Sequence, residues 1–315
     1  IQLFTEQLLD KPGATIADLA DYLRAQADGA FDDVVDADLI IRFFQEGFGI
    51  APDIRDGADT VQFVPNDLGD GVRWDNRMNW DTDDLPGLYA NDSVDLGGND
   101  VTYGTNTTID NLDYGPDGSL NVYGGKLTMT GGMSGEGDLN IEGSGQVWSE
   151  GSTADLDLNV DGGRFVNTGD MSGADVTATG GQTILASDGA EFDLEPSKTL
   201  AVFEAAAKVG FDGENGGLAV LDLHEDSTVA FEAQDGGLGT IEEFSSGAFG
   251  DSPDVQSGID LGNATLSLNL SGLDASAGTA FTLMDADEIA GIFSDANIDG
   301  LGARDARIVV DYEND

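Results

Sequence analysis

The chain has no cysteine, one histidine and only 12 Lys+Arg against 61 Asp+Glu. Without cysteine there is no disulfide framework, the usual support of secreted domains that cannot build a core. A long stack of coils has a continuous core and needs none, which suits export unfolded and folding outside the cell. The scarcity of cations, with a net charge of −49, excludes nucleic acid as a partner, because phosphates need cationic contacts. It also opposes anionic membranes. The lone His224 would have to carry any Ser-His-Asp chemistry alone, which argues against that class of enzyme. No run of about 18 apolar residues is present, so no membrane-spanning helix and no membrane insertion are expected. No leader is recognisable. The chain opens at Ile1-Gln2-Leu3-Phe4, without Met and inside an amphipathic segment. It is therefore read as a processed product or the later part of a longer polypeptide.

Glycine is abundant, with 45 residues, and it is organised. Segments 118–136, 137–153, 154–173 and 174–189 are variations on one pattern. Each has a short alternating strand, a Gly-rich corner, a second alternating strand and a Gly/Ser/Asp turn. A period near 18 with two strands per unit is the mark of a solenoid. Gly124-Gly125, Gly131-Gly132, Gly162-Gly163 and Gly180-Gly181 stand at the corners, where positive φ is needed. Persistent apolar alternation excludes a disordered low-complexity chain. The expected fold is mainly β: a parallel β-helix or β-solenoid of about 10 coils, rising roughly 4.8 Å per coil. A small N-terminal α-helical region and a C-terminal β cap complete it.

Four regions follow. Residues 1–48 are helical in pattern, with Ile16, Leu19, Ala20 and Leu23 on one face after a Thr15 cap. They are expected to serve attachment or packing. Residues 49–92 are an Asp- and Trp-rich transition. Trp74 and Trp80 are expected to cap the open end of the first coil, with an aromatic sugar-binding platform as the alternative. Residues 93–245 are the solenoid, its phase slipping at 190–215 near Ala205-Ala206-Ala207. Residues 246–315 are terminal coils and cap: a strand at 278–283, a helical or looped crossing at 285–293, and a last strand at 307–312.

The charge of −49 is tolerated in high salt, where the Debye length is roughly 3 to 8 Å. Divalent cations also relieve it, as hard partners of carboxylates. Seawater-like or extracellular fluid supplies both. Calcium is thus the expected cofactor, if any, with plain solubility as the simpler role of the charge. The candidate ligands are Asp81, Asp83 and Asp84, together with Asp212 in an Asp-Gly-Glu-Asn turn. Asp32, Asp33, Asp36 and Asp38 form a second dense group. None has calcium-loop spacing. His224 lies between Asp222 and Glu225 at a strand end, without the cleft a general base needs. Lyases of acidic polysaccharides need cations, and Lys126, Arg164, Lys198 and Lys208 read as scattered. Carboxylate pairs of glycosidase separation would arise by chance among 61 acids.

From Trp74 to Val94 the text is Trp, then Asn-Trp, Leu-Pro-Gly and Asp-Ser-Val. It resembles the opening motif of bacterial surface β-solenoids such as autotransporter passenger domains. Gly278-Thr279-Ala280-Phe281-Thr282-Leu283, followed by Ile289-Ala290-Gly291-Ile292-Phe293, resembles the pattern that closes such solenoids. The resemblance implies a secreted or cell-surface repeat protein and brings no catalytic residues. The chain lacks the C-terminal membrane barrel of an autotransporter and the Gly-Gly-x-Gly-x-Asp calcium repeats of exported proteins. The order of parts also resembles phage tail spikes and fibres, by analogy alone. The expectation is a non-enzymatic, extracellular structural or adhesive module. It would be a rigid acidic spacer or display surface with a protein or glycan partner, as a homo-oligomer or within a larger assembly. The alternatives are a virion tail-spike or fibre protein binding host glycans, and a glycan-active hydrolase or lyase on the same scaffold.

Overall fold

The computed structural model describes residues 60–65, 69–82, 84–87, 91–187, 189–203, 207–213, 217–234, 236–245, 248–249, 255–273, 279–300 and 309. The chain divides into two compact units, Ile1–Ile54 and Arg55–Asp315. The helical pattern at 1–48 and the acidic group at 32–38 lie outside the described residues. So do residues 307, 308 and 310–312 of the expected last strand.

Among the described residues the regular structure is strand, apart from a single 3-10 turn at Arg77–Asn79. Every pairing between the described strands is parallel, and most strands pair with one a coil earlier and one a coil later. The sequence pattern predicts two strands per coil, but the structure shows three faces. Four long strands turn a corner and serve two faces each: Asn106–Asp113, Lys126–Ser134, Asp138–Ser149 and Asp157–Asn167.

Face 1 is the short one, and its shortest strands escape the sequence pattern. Its strands include Ser93–Asp95, Ser152–Ala154 and Met171–Ser172. One inward residue from each coil forms its central column. The column begins Val61, Val94, Leu112 and Met133, and continues through Thr153 and Met171. It then passes Phe192, Leu221 and Ile259 to end at Ile289. Face 2 stacks Val101, Leu120, Leu139, Leu158 and Val176. All five are fully buried. The first four recur at equal spacing, because Ser119–Val122, 138–141 and 157–160 repeat one coil length. Face 3 stacks Leu127, Val147, Phe165, Thr183 and Val209 inward. The alternating strands thus feed three apolar columns into one continuous core. Each buried Leu, Val or Phe there contributes about 1.5–3 kcal/mol.

Side chains also stack on the outside. Asn159 Nδ2 donates to Asn140 Oδ1 at 3.1 Å, and Asn140 Nδ2 donates to Asn121 Oδ1 at 3.0 Å. This amide ladder fixes register along face 2. At the corner before face 3, Gly125 has φ +69, and a Cβ there would sit 1.7 Å from the Thr105 carbonyl oxygen. Only glycine fits, because the chain one coil earlier passes directly against it.

The stack starts earlier than the pattern indicates. Thr60–Gln62 already pairs with Ser93–Asp95. Beyond residue 190 the coils lengthen, yet Lys208–Phe211 returns into register on Gln182–Ala186. The expected phase slip is therefore an insertion between strands. At the far end, residues 279–283 form no strand, in contrast to the expected strand at 278–283. The expected crossing at 285–293 instead contains the strand Glu288–Ala290, paired on Gln256–Asp260. Asp295–Asp299 pairs on Thr265–Asn269 in the same way. These strands prolong the coil pattern, since their backbones repeat the hydrogen bonding of the coil before.

Candidate functional site

Face 2 begins each coil with an outward residue, and register makes these residues a column. Asp100, Ser119, Asp138, Asp157 and Asp175 stand in successive coils, roughly 4.8 Å apart. Both ends of the column are relieved. Ser119 Oγ donates to Asp100 Oδ1 at 2.7 Å. At the other end Asp175 accepts from Thr199 N at 2.6 Å and meets Lys198 Nζ at 3.3 Å. Asp138 and Asp157 face each other between them. Partial burial pushes the Asp157 carboxyl above its ordinary value, the Asp175 and Asp138 charges push the same way, and Lys198 opposes them. Asp117, Glu136 and Asp155 sit at the adjoining corner. With Asp138, Asp157, Asp175 and the lone cation Lys198 they line an open recess of about 440 Å³. Asp117 and Asp155 are held at φ +59 and +56, a left-handed conformation that Asp tolerates better than most residues. The recess concentrates negative charge on one patch, and its chemistry favours a cation or a cationic side chain.

Among the described residues, the calcium candidates Asp81, Asp84 and Asp212 each make local contacts of their own. Asp81 Oδ1 accepts from the Gln62 amide at 2.9 Å, linking the opening segment to the strand beside it. The Asp84 amide donates to Thr82 Oγ1 at 3.4 Å. Asp83 lies outside the described residues. Asp212 is buried, and its carboxylate accepts from the Gly213 amide at 3.0 Å. Among the described residues, no three His, Asp or Glu side chains stand close enough to share a metal ion.

Trp74 and Trp80 are both buried. Trp80 packs edge-on against Phe63 and Trp74, each with ring centroids 5.0 Å away. Trp74 packs on Tyr103 at 5.2 Å. The Trp80 indole Nε1 donates to the Trp74 carbonyl at 2.9 Å. Buried rings offer no face to a sugar, so the platform alternative loses its basis. Just before this cluster, Asn79 Nδ2 donates to Asp70 Oδ1 at 2.7 Å and to the Arg73 carbonyl at 2.9 Å. The Asn79 bond first, and then the Arg73 and Val72 backbone amides that also donate to Asp70 Oδ1, hold its carboxyl well below the usual carboxylate range.

His224 meets a partner the sequence did not show. Its Nε2 lies 2.7 Å from Asp193 Oδ1 and 3.9 Å from Asp222 Oδ2. Asp193 stands one coil back, stacked in register with Asp222 and Asp260. Burial first, then the Asp260 and Asp193 charges, pushes the Asp222 carboxyl up, while His224 pulls it down. The imidazole therefore bridges a column of like charges.

The cations are also rearranged by the fold. Far from scattered, Lys126, Arg164 and Lys208 fall on one outward column of face 3. Its order is Asn106, Lys126, Gln146, Arg164, Gln182, Lys208. Arg164 Nε donates to Gln182 Oε1 at 2.8 Å. Lys126 Nζ sits 3.7 Å over the Trp148 ring, and Lys208 Nζ 5.9 Å over Phe244. Beside the column runs an outward apolar strip, Val166 and Ile184, buried under Phe244 with Trp148, Ala248 and Phe249 packed around it.

Comparison of the chain with family models, curated proteins and solved structures finds no match.

Proposed function

We propose that this chain is a structural, display or adhesive module of an extracellular or cell-surface protein. In that role the stacked coils form a stiff spacer whose outward columns meet a partner. The observation that carries this reading is the unbroken in-register pairing on faces 1 and 2. On face 1 it runs from Val61 to Ile289, and on face 2 from Val101 to Ala296. Such a stack spreads its stability along its axis and repeats the same outward position coil after coil. It thereby turns sequence positions into linear chemical stripes. The buried Phe63, Trp74, Trp80 and Tyr103 cluster supports the capping role of the two tryptophans, since it covers apolar core beside the first coil. The acidic column and its recess support display in a fluid rich in salt or divalent cations, where carboxylate repulsion is screened.

The test is surface labelling of the native protein in its source cells or particles. Antibody or protease should reach it without lysis. Retention inside intact cells would sink the reading. Deleting one coil, residues 137–155, should leave a folded, surface-presented chain, because Asp138 and Asp157 occupy corresponding positions in successive coils and the strand 157–160 can then pair on Ser119–Val122. Collapse of the whole stack on that deletion would contradict an independent-coil spacer.

A further inference from the structure

Faces 1 and 2 carry aspartates along their outward positions, whereas face 3 does not. Its strand segments 126–129, 146–149 and 164–167, with Gln182–Ala186 and Lys208–Phe211, contain neither Asp nor Glu, and acids return only in the next strand, Thr240–Glu243, where Glu242 and Glu243 pair beside Gly210 and Phe211. In a chain with 61 acids, an anion meets less repulsion on this acid-free stretch than on the carboxylate column of face 2. The same segments hold Lys126, Arg164 and Lys208 at every second coil, with Gln146 and Gln182 between them. The cations are close enough to influence one another. Lys126 has its ammonium pKa lowered by burial first and by Arg164 as well, against the pull of Glu150.

We infer that this face 3 column is a binding stripe for an extended anionic glycan, one bearing an acidic group on alternate sugars. The inference rests on the display-module reading and names its partner. Charge recurs along the column every two coils, roughly 10 Å. An alternating disaccharide with one uronate or sulfate presents charge at every second ring in the same way. The intervening Gln146 and Gln182 carry both a donor and an acceptor, as neutral sugar hydroxyls require. A nucleic-acid strand fits worse. It places a phosphate on every nucleotide, opposite amides as well as cations, and it needs open aromatic platforms. The Trp148 face is already occupied by Lys126. The net charge of −49 opposes approach from a distance. At 0.15 M salt, however, its reach is about 8 Å, so carboxylates beyond that distance are largely screened.

A simpler role must be separated from this one. Lys126 and Lys208 also cover aromatic rings, and their positions would follow from that packing alone. The experiment uses the full chain at 0.15 M salt. The probes are hyaluronan, which has a carboxylate on alternate sugars, neutral dextran, and a single-stranded oligonucleotide, with binding read by calorimetry. Saturable binding to hyaluronan and none to dextran is expected. The triple variant Lys126→Gln, Arg164→Gln, Lys208→Gln should weaken that binding at least about tenfold, as loss of three cationic contacts implies. Lys198→Gln, off the stripe, should leave it unchanged. Because the triple variant also disturbs ring packing, Thr128→Glu supplies a second arm. Thr128 is outward and half-buried on the same face. A charge there should weaken binding with the melting temperature preserved. No binding to hyaluronan, binding indifferent to the triple variant and Thr128→Glu, or equal affinity for the oligonucleotide would each overturn the inference. Surface labelling is unaffected by these results, so failure here leaves the display reading standing, and failure there leaves the stripe tested on its own.

Discussion

The carboxylate column on face 2 makes a prediction with an unusual sign: removing a charge there should stabilise the protein. Asp157 stacks directly on Asp138 and on Asp175. Opposed like charges on neighbouring strands cost about 0.2–1 kcal/mol per pair. The site is exposed, and Lys198 offsets part of the repulsion at Asp175. Asp157→Asn should therefore gain about 0.5–1 kcal/mol at neutral pH and low salt, after discounting for solvent screening. That corresponds to a melting temperature about 1–4 °C higher for a unit of this size. The pH dependence follows from the raised carboxyl pKa. Folded Asp157 takes up a proton more readily than unfolded Asp157, so the folded state binds more protons between the two pKa values and stability falls as pH rises through them. The advantage of the Asn variant should be full above the folded pKa and fade as pH drops through it. It should vanish below the ordinary carboxylate value. Thermal melts followed by circular dichroism at pH 7 and in acid, in low salt and in 1 M NaCl, give the four arms. In 1 M salt a Debye length of about 3 Å should erase most of the gain. A variant no more stable than the parent at low salt would refute the argument, as would a gain that survives 1 M salt. Calcium adds a sharper contrast. If the column ligates it, millimolar CaCl₂ should raise the parent melt and turn the Asn variant into the less stable protein. That result would replace repulsion with ligation.

Leu139→Ala removes a fully buried side chain between Leu120 and Leu158, and should cost about 2–5 kcal/mol in urea unfolding. A cost under about 1 kcal/mol would mean that the face 2 column is not continuous core. Gly125→Ala places a Cβ against the Thr105 carbonyl at positive φ. It should destabilise by about 1–3 kcal/mol or more, whereas an unchanged melt would disprove the corner geometry. Trp80→Phe keeps an aromatic ring in the cluster but removes the donor to the Trp74 carbonyl and part of the buried indole. Its expected cost is about 1–3 kcal/mol, read as a lower midpoint at equal slope in denaturant.

The sequence disclosed faces 2 and 3 along the stack, and face 1 only where its strands are longer, for a physical reason. Strands such as Ser119–Val122 and Lys126–Ser134 alternate long enough for the period of two to stand out. Face 1 contributes segments as short as Met171–Ser172, which contain one inward residue and no measurable period. They read as turns. The tryptophan cluster was visible because large aromatics near a stack end have few other places to go. The sites were less legible, because in a coil stack the neighbours of a residue are a full coil away. His224 was paired in sequence with Asp222 and Glu225, yet its nearest carboxylate is Asp193. The cations read as scattered because a count of Lys and Arg carries no register. Coil lengths decide whether Lys126 and Arg164 share a column or point from different faces, and a change of one residue between Gln146 and Arg164 would part them. Glycines such as Gly125, Gly132 and Gly163 fix those lengths by admitting close backbone contacts at the corners. The corners thus hold the chemistry of the faces in line, and substitution at a glycine should disturb a binding stripe it never touches.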